Sequence, residues 1–479
     1  MNGKQTALSD DAMENKRLLF RRMHGTEDLV MADSANGSGK SLTVCYLDGL
    51  IDARRLEQTL VMYLENKQLF PAFQSNSRIR TIEEVADCLA SGKTVLLFTD
   101  PAYGVAIDTL GVQLRSVDEP PSEATVKGAR SGFTESLTNN IALVRYHFPA
   151  ASLKVEYRKV GYLSKIEIAV LSIGGITNAE ILGEVHRRIG EISEDAILGS
   201  NDIEEWITDN RGTMFPLIES TERPDRVAGA LLDGRIAVLV QGTPFTLLLP
   251  FVFMQAFQVS EDYSWNYYIG SAMRILRLLS GLIGMFLPAF YVATVNFHHE
   301  LVPTPLLQSI AASREPVPFP AVVESSAMML AFEIMREAGI RMPKQVGQAV
   351  SIVGALILGQ AAVQAGIVSP IMVIVAALTG ICTFTLPPTV MNYVIRILQF
   401  GMTILASLLG YVGITVGIIM LLTYLASLRS FGVPYLGPVA PFDMSEMTDV
   451  IVRRPSPSRN KRPSLFRAMN PNRNRGKAR

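Results

Sequence analysis

Cysteine is scarce in this chain, and the three present, Cys45, Cys88 and Cys382, are dispersed. That spacing excludes a disulfide framework and a thiolate metal set, and Cys45 in a strand pattern and Cys382 in an apolar run read as small buried hydrophobes. Histidine is nearly as rare, with five residues. His298 and His299 are adjacent, beside Glu300. Neighbours on a helix do not face one another, so this group fits a membrane interface better than a metal site. No apolar leader is expected from the opening "MNGKQTALSDDAMENKRLLFRRMHG", which is charged.

A phosphate-binding loop is missing too, although two segments imitate one. "SANGSGKS" (34–41) has Ser34 where the pattern requires glycine, and the second segment, "SGKTVLLFTD" (91–100), has Asp87 there. In both, a β-branched strand follows the lysine, whereas a phosphate loop needs a helix N-terminus. Both read as turns leading into strands, which disfavours an ATP-driven pump. A nucleophile elbow, metal-ligand spacing and a carboxylate pair in a plausible cleft are also missing, so catalysis and a cofactor are not expected.

Charge is unevenly spread. The formal net charge is zero, but residues 1–235 are ordinarily charged and 270–430 are poor in charge and rich in Leu, Ile, Val, Ala, Gly and Met. A helix needs ~20 apolar residues to cross the hydrocarbon core. Spans are expected at 273–297, 346–366 and 368–387. The run 393–428 is too long for one upright span and could break near "GYVG" (410–413). Residues 322–339 carry Glu324, Glu333 and Glu337 and read as an interfacial or bundle-lining helix. The count is four to six spans, and an even count places the soluble region and the tail on one side. The tail at 452–479 lacks acids and is rich in Arg, Pro, Ser and Asn, a composition that does not fold alone. Beside a membrane it belongs on the cytoplasmic side, drawn to anionic lipid. Phe466 is its one aromatic, so nucleic acid is not an expected partner.

The soluble part repeats itself. "SGKTVLLFTDPAYGVAID" (91–108) resembles "DGRIAVLVQGTPFTLLLP" (233–250), and "VCYLDGLIDARRLEQTLVMYL" (44–64) resembles "VLSIGGITNAEILGEVHRRI" (170–189). Asp52 and Thr177 or Asn178 are N-cap types, and Leu56, Leu60 and Leu64 share one helix face. The repeat reads 236–250 as a hairpin and not a span, since a turn such as "QGTP" leaves backbone groups unpaired in lipid. The expected architecture is a flexible N-terminus (1–27), an α/β unit (28–118), a helical connector (119–154), a second α/β unit (155–258), an all-α transmembrane region (270–430) and a basic disordered cytoplasmic tail (443–479).

Several residues stand out. Gly347, Ser351 and Gly354, with Gly359 in a second stripe, would let helices approach closely. Gln360 and Gln364 share a face and either bond to another helix or line a pore. Arg396 snorkels to an interface, the preferred reading, or pairs with Glu324 or Glu333. Glu222, Arg223, Asp225 and Arg226 in "ERPDR" form a salt-bridged loop or helix start, or a docking surface for another subunit. The three prolines of "REPVPFP" fit an extended rigid connector better than a gating hinge.

"ARSGFTESLTNNIALVR" (129–145), "ESTERPDRVAGALLDGRIAVLVQGTPF" (219–245), "REPVPFPAVVES" (314–325), "EIMREAGIRMPKQVGQAVSIVGALILGQAAVQAGIVSP" (333–370) and "SFGVPYLGPVAPF" (430–442) resemble the GerA family of bacterial spore germination proteins. The resemblance runs from about residue 40 to 442. Gln241 departs from it where an Asp is expected. The resemblance implies an A-type germinant receptor subunit in the spore inner membrane, with the N-terminal domain and tail on the cytoplasmic, spore-core side. Implied partners are a transporter-like B subunit, a lipoprotein C subunit and further copies of this chain, in a nutrient-gated ion channel. A sibling branch implies an accessory channel or scaffold without nutrient sensing. A secondary transporter is the reading from another class; its repeats would lie in the membrane part, whereas this one lies in the soluble part.

Overall fold

The computed structural model describes residues 6–35, 41–66, 78–99, 101–111, 123, 125, 127–342, 359–387 and 390–473. Strands β1 (Leu29–Ala35), β2 (Ser41–Leu47), β3 (Arg78–Ile79), β4 (Lys93–Thr99) and β5 (Ala102–Asp108) form one sheet, ordered β1-β2-β4-β5-β3. Strands β6 (Leu153–Val160), β7 (Ile166–Ile173), β8 (Glu219–Thr221), β9 (Ile236–Val240) and β10 (Thr246–Leu249) form a second, ordered β6-β7-β9-β10-β8. Every neighbouring pair in both sheets is antiparallel. The lysines of both imitation phosphate loops precede strands, β2 and β4.

Helices occupy matching places in the two units. Helix α1 (Ala12–Arg22) precedes the first sheet, α2 (Ala53–Asn66) joins β2 to β3, and α3 (Ile82–Ala90) joins β3 to β4. In the second unit α4 (Leu137–His147) precedes β6, α5 (Ala179–Gly190) and α6 (Ser200–Ile207) join β7 to β8, and α7 (Pro224–Leu232) joins β8 to β9. The helix starts follow from their caps. Asp52 Oδ1 accepts from Arg54 N at 3.0 Å, and Asn178 Oδ1 from Glu180 N at 2.8 Å. Leu56 is buried and Leu60 packs beside it; the side chain of Leu64 lies outside the described residues.

Two expectations are corrected here. The N-terminus is not wholly flexible: Asp11 caps α1, and Leu19 and Met23 at its end are fully buried in the first unit's core. Their apolar face outweighs the charges around them. The 119–154 segment is more than a connector, because α4 sits between the units. Its Ala142 joins the first core, and Ile141, Leu143 and Val144 join the second. Arg145 on the same helix reaches Asp28 of the first unit at 2.6 Å, both fully buried. A buried pair of this kind fixes how two bodies meet, since either charge left alone would be uncompensated.

The chain then enters a helical region built on α8 (Tyr267–Phe297), which packs against α10 (Ala321–Arg341), α11 (Pro370–Phe384), α12 (Val390–Leu409) and α13 (Tyr411–Ser427), while α9 (Thr304–Arg314) lies against α11. Helices α8 and α12 are long and apolar enough to cross a membrane; α11 and α13 are shorter apolar helices. The break in the 393–428 run falls at Gly410, whose φ of +61° and whose contact with His298, where a Cβ would meet the ring at 2.7 Å, admit no larger residue without strain.

After α13 the chain returns to the second α/β unit. Strands β11 (Arg429–Ser430) and β12 (Val433–Pro434) form a small ladder, and Phe431 and Val433 enter the second unit's core. The expected disordered tail is a correction: α14 (Met444–Val450) is helical, and Phe466 is 1% exposed in that same core. The tail does not fold alone. It folds on a surface that supplies the apolar contacts its own composition lacks.

Candidate functional site in the helical region

The helical region carries charge where apolar helices meet, and each charge has a partner. On α10, Glu324 is 1% exposed. It accepts from the backbone N of Ser369 at 2.6 Å and from Ser369 Oγ, and Arg314 stands 3.7 Å away. Ser369 caps α11, and Tyr291 of α8 lies 3.2 Å from its hydroxyl. This carboxylate therefore pins α9, α10, α11 and α8 together.

Nine residues after Glu324 on the same helix, a second cluster forms. Glu333 pairs with Arg336 on its own helix and with Arg396 of α12, whose Nε is 3.5 Å from Glu333 Oε1. Arg396 also lies over the Tyr393 ring at 5.0 Å. The preferred interface reading for Arg396 is thereby corrected: it is turned into the bundle. Two guanidinium groups share one carboxylate beside a cavity of about 60 Å³, also lined by Thr379, Thr383 and Gln399. That space is large enough for one or two waters, between these polar groups and the apolar Met329, Phe332 and Phe400. Charges in such surroundings are costly to keep without function or partner.

Gly347, Ser351 and Gly354 lie outside the described residues. Gly359 is buried against Val373 of α11, and its small size brings the helical residues 359–364 close. Gln360 and Gln364 are both exposed, on one face, without a hydrogen-bond partner among the described residues.

The "ERPDR" residues point inward, and this corrects the docking reading. Glu222 and Arg223 are buried. Arg223 donates to the carbonyls of Glu123 at 3.3 Å and Ala129 at 3.1 Å and pairs with Asp225 at 2.8 Å. Arg226 pairs with Glu219 at 2.7 Å, and Arg235 holds the other oxygen of that carboxylate at 2.6 Å. The segment fastens Glu123, Ala129 and Phe133 to the second unit. Glu123 accepts from Thr221 Oγ1 at 3.0 Å and from Glu222 N at 3.3 Å. Burial pushes the Glu123 carboxyl up to about 7, with the Glu219 charge adding to the rise and the Thr221 bond opposing it. Gln241 has an internal task, its Oε1 accepting from Leu137 N at 2.8 Å at the start of α4. Sequence reasoning missed Glu123, Arg145 and Arg235; Glu123 and Arg145 act through partners about a hundred residues away, and Arg235 through Glu219 and the carbonyls of Leu248 and Pro250, so no helix or strand periodicity marks them. Among the described residues no group of His, Cys, Asp and Glu could hold a metal ion.

Two antiparallel α/β units packed against a bundle of apolar helices with internal ion pairs define a class: a chain in which a large folded α/β domain is joined to an apolar helical region. The family model described as "Bacillus/Clostridium GerA spore germination protein" matches residues 17–465, and the chain belongs to that family, whose members include A-type germinant receptor subunits. It is similar to spore germination protein KA of Bacillus subtilis (strain 168), 44% identical over 438 residues, covering 88% of this chain and 80% of that one. It is also similar to the uncharacterized membrane protein YfkQ of the same organism, 38% identical over 96% of this chain and 92% of that one. Spore germination protein GerLA of Bacillus cereus is 34% identical over 97% of each. The crystal structure of the N-terminal domain of the A subunit of the Bacillus megaterium spore germinant receptor GerK3 aligns with 52% of this chain and 99% of that one, at 26% identity and a TM-score of 0.40.

Proposed function

We propose that this chain is the A-type membrane subunit of a germinant receptor, and that copies of it assemble into an ion channel opened by nutrient at the start of germination. It works in the spore inner membrane with a transporter-like B subunit and a lipoprotein C subunit. Its helical region crosses the membrane several times, and its α/β units and C-terminal segment lie on the core side. Packing of residues 429–473 on the second α/β unit supports an even number of crossings, since both ends of the helical region meet on one side.

The observation that carries the reading is the pair Gln360 and Gln364. Two amides on one exposed helix face, unpartnered among the described residues, are costly in lipid. A neighbouring copy or a water column satisfies them. The test is ion flux across liposomes holding the purified oligomer, with Gln360→Leu/Gln364→Leu as the comparison. Flux that changes in size or ion preference supports a pore lined by this helix. A folded oligomer that conducts nothing, alone or with B and C subunits and nutrient, overturns it. The similarity to an uncharacterized membrane protein favours a second reading, an accessory channel or scaffold without nutrient sensing. Flux that ignores nutrient and partners selects that reading.

A further inference from the structure

The C-terminal segment and the second α/β unit enclose a cavity of about 700 Å³, within the size range of small-molecule sites. Its walls come mostly from residues 443–473, with Val252, Gln258 and Tyr263 opposite. Six Lys and Arg side chains line it against four acids. Asp233 holds Arg473, Glu446 accepts from Ser464 N, and Asp449 Oδ1 accepts from Arg454 N at 2.9 Å. Lys461 and Arg467 have no ion-pair partner among the described residues. With six cations against four acids, the wall carries net positive charge.

Positive charge gathers at Tyr263. Three guanidinium groups lie over its ring: Arg459 at 4.5 Å, Arg274 at 5.0 Å and Arg453 at 5.3 Å. Arg274 is paired with Asp262 at 3.0 Å, whereas Arg453 and Arg459 have no ion-pair partner among the described residues. Arg453 is 6% exposed and its Nε is buried without an acceptor, as is Nε of Arg459. Like charges pressed together repel. Burial depresses the Arg453 pKa and the Arg459 charge depresses it further, while Arg462 is lowered by burial and then by Arg473. A ring quadrupole offsets part of such crowding, but an anion that accepts from the unmade donors offsets more.

We propose that this cavity binds a phosphate group, held by Arg459 and Lys461 beside Tyr263, with the rest of its ligand against Val252 and Leu465. Two sources share this chemistry. One is a phospholipid headgroup, because Tyr263 stands four residues before α8 and Arg274 belongs to that helix. The other is a soluble phosphate compound. Arginine suits either, since its planar fork matches phosphate oxygens two at a time. The proposal is independent of channel activity.

The test uses the full chain in detergent micelles and phosphorus NMR. Inorganic phosphate is titrated in one arm, and phosphatidylglycerol doped into the micelles in the other. Expected is a saturable perturbation of at least one phosphorus signal, weakened by salt and at least about tenfold weaker in Arg459→Gln/Lys461→Gln. A response to phosphate assigns a soluble ligand, and a response confined to the lipid assigns a headgroup. Thermal melting verifies the fold, and if the double variant melts early, Lys461→Gln alone, at an exposed side chain, is read the same way. No saturable response from either signal overturns the proposal, as does a folded variant that responds like the unsubstituted chain.

Discussion

The two α/β units share one strand order but not one degree of enclosure. In the first, one face of the sheet is covered chiefly by α2 through Leu56 and Leu60, and β5 shows partly open positions. In the second, every residue of β9 and β10 is buried. The extra cover comes from far along the chain: Phe431, Val433 and Phe466 add to α5 and α6 on that face. One topology thus serves twice, once as a peripheral body and once as the centre on which other segments close. What separates the two is not strand pattern but which later residues come back to them.

Three experiments sharpen or break this contrast. The largest effect is expected where the units are joined. Arg145→Ala strands Asp28 as a buried charge and should cost about 3–5 kcal/mol. Chemical unfolding of the full chain reads it; a variant as stable as the parent would mean the units are not coupled through this pair. Next, Phe466→Ala should cost about 3–5 kcal/mol, while Leu56→Ala, at the more open face, should sit at the low end of about 2–5 kcal/mol. Equal losses would erase the difference in enclosure. A pH-dependent effect belongs to Glu123, which rises from the ordinary 4.5 to about 7 in the folded chain. The folded state favours the protonated form, so the stabilisation is full below about pH 4.5 and is lost as pH climbs toward 7. The loss is up to about 3 kcal/mol. Melting across pH 5 to 8 should show this decline, and Glu123→Gln should flatten it.

Much of the fold was legible because its signals are local. Glycine turns followed by β-branched alternation marked β4–β5 and β9–β10, and the caps at Asp52 and Asn178 marked α2 and α5. Matching 91–108 with 233–250 kept a hairpin from being taken as a span. The tail was misread because six arginines and a lysine over 453–473 outweigh one phenylalanine in any compositional sum. Yet Phe466 places that segment, and its destination on the second sheet has no signature nearby. Arg396 was misplaced for a like reason: its partner Glu333 lies on another helix, and a lone arginine two turns into an apolar run looks the same whether it faces water or a carboxylate.

The return of the chain at 429–466 has a consequence for how the protein is made. A ribosome finishes the ten strands of both main sheets long before it reaches Phe431, and Phe466 emerges later still. Throughout that interval the second unit waits with an apolar patch open while the helices α8 to α13 are being synthesised. Closure of the patch therefore reports that synthesis of the whole helical region is complete. A chain that ends before residue 466 keeps this surface exposed, the condition in which partly folded chains aggregate.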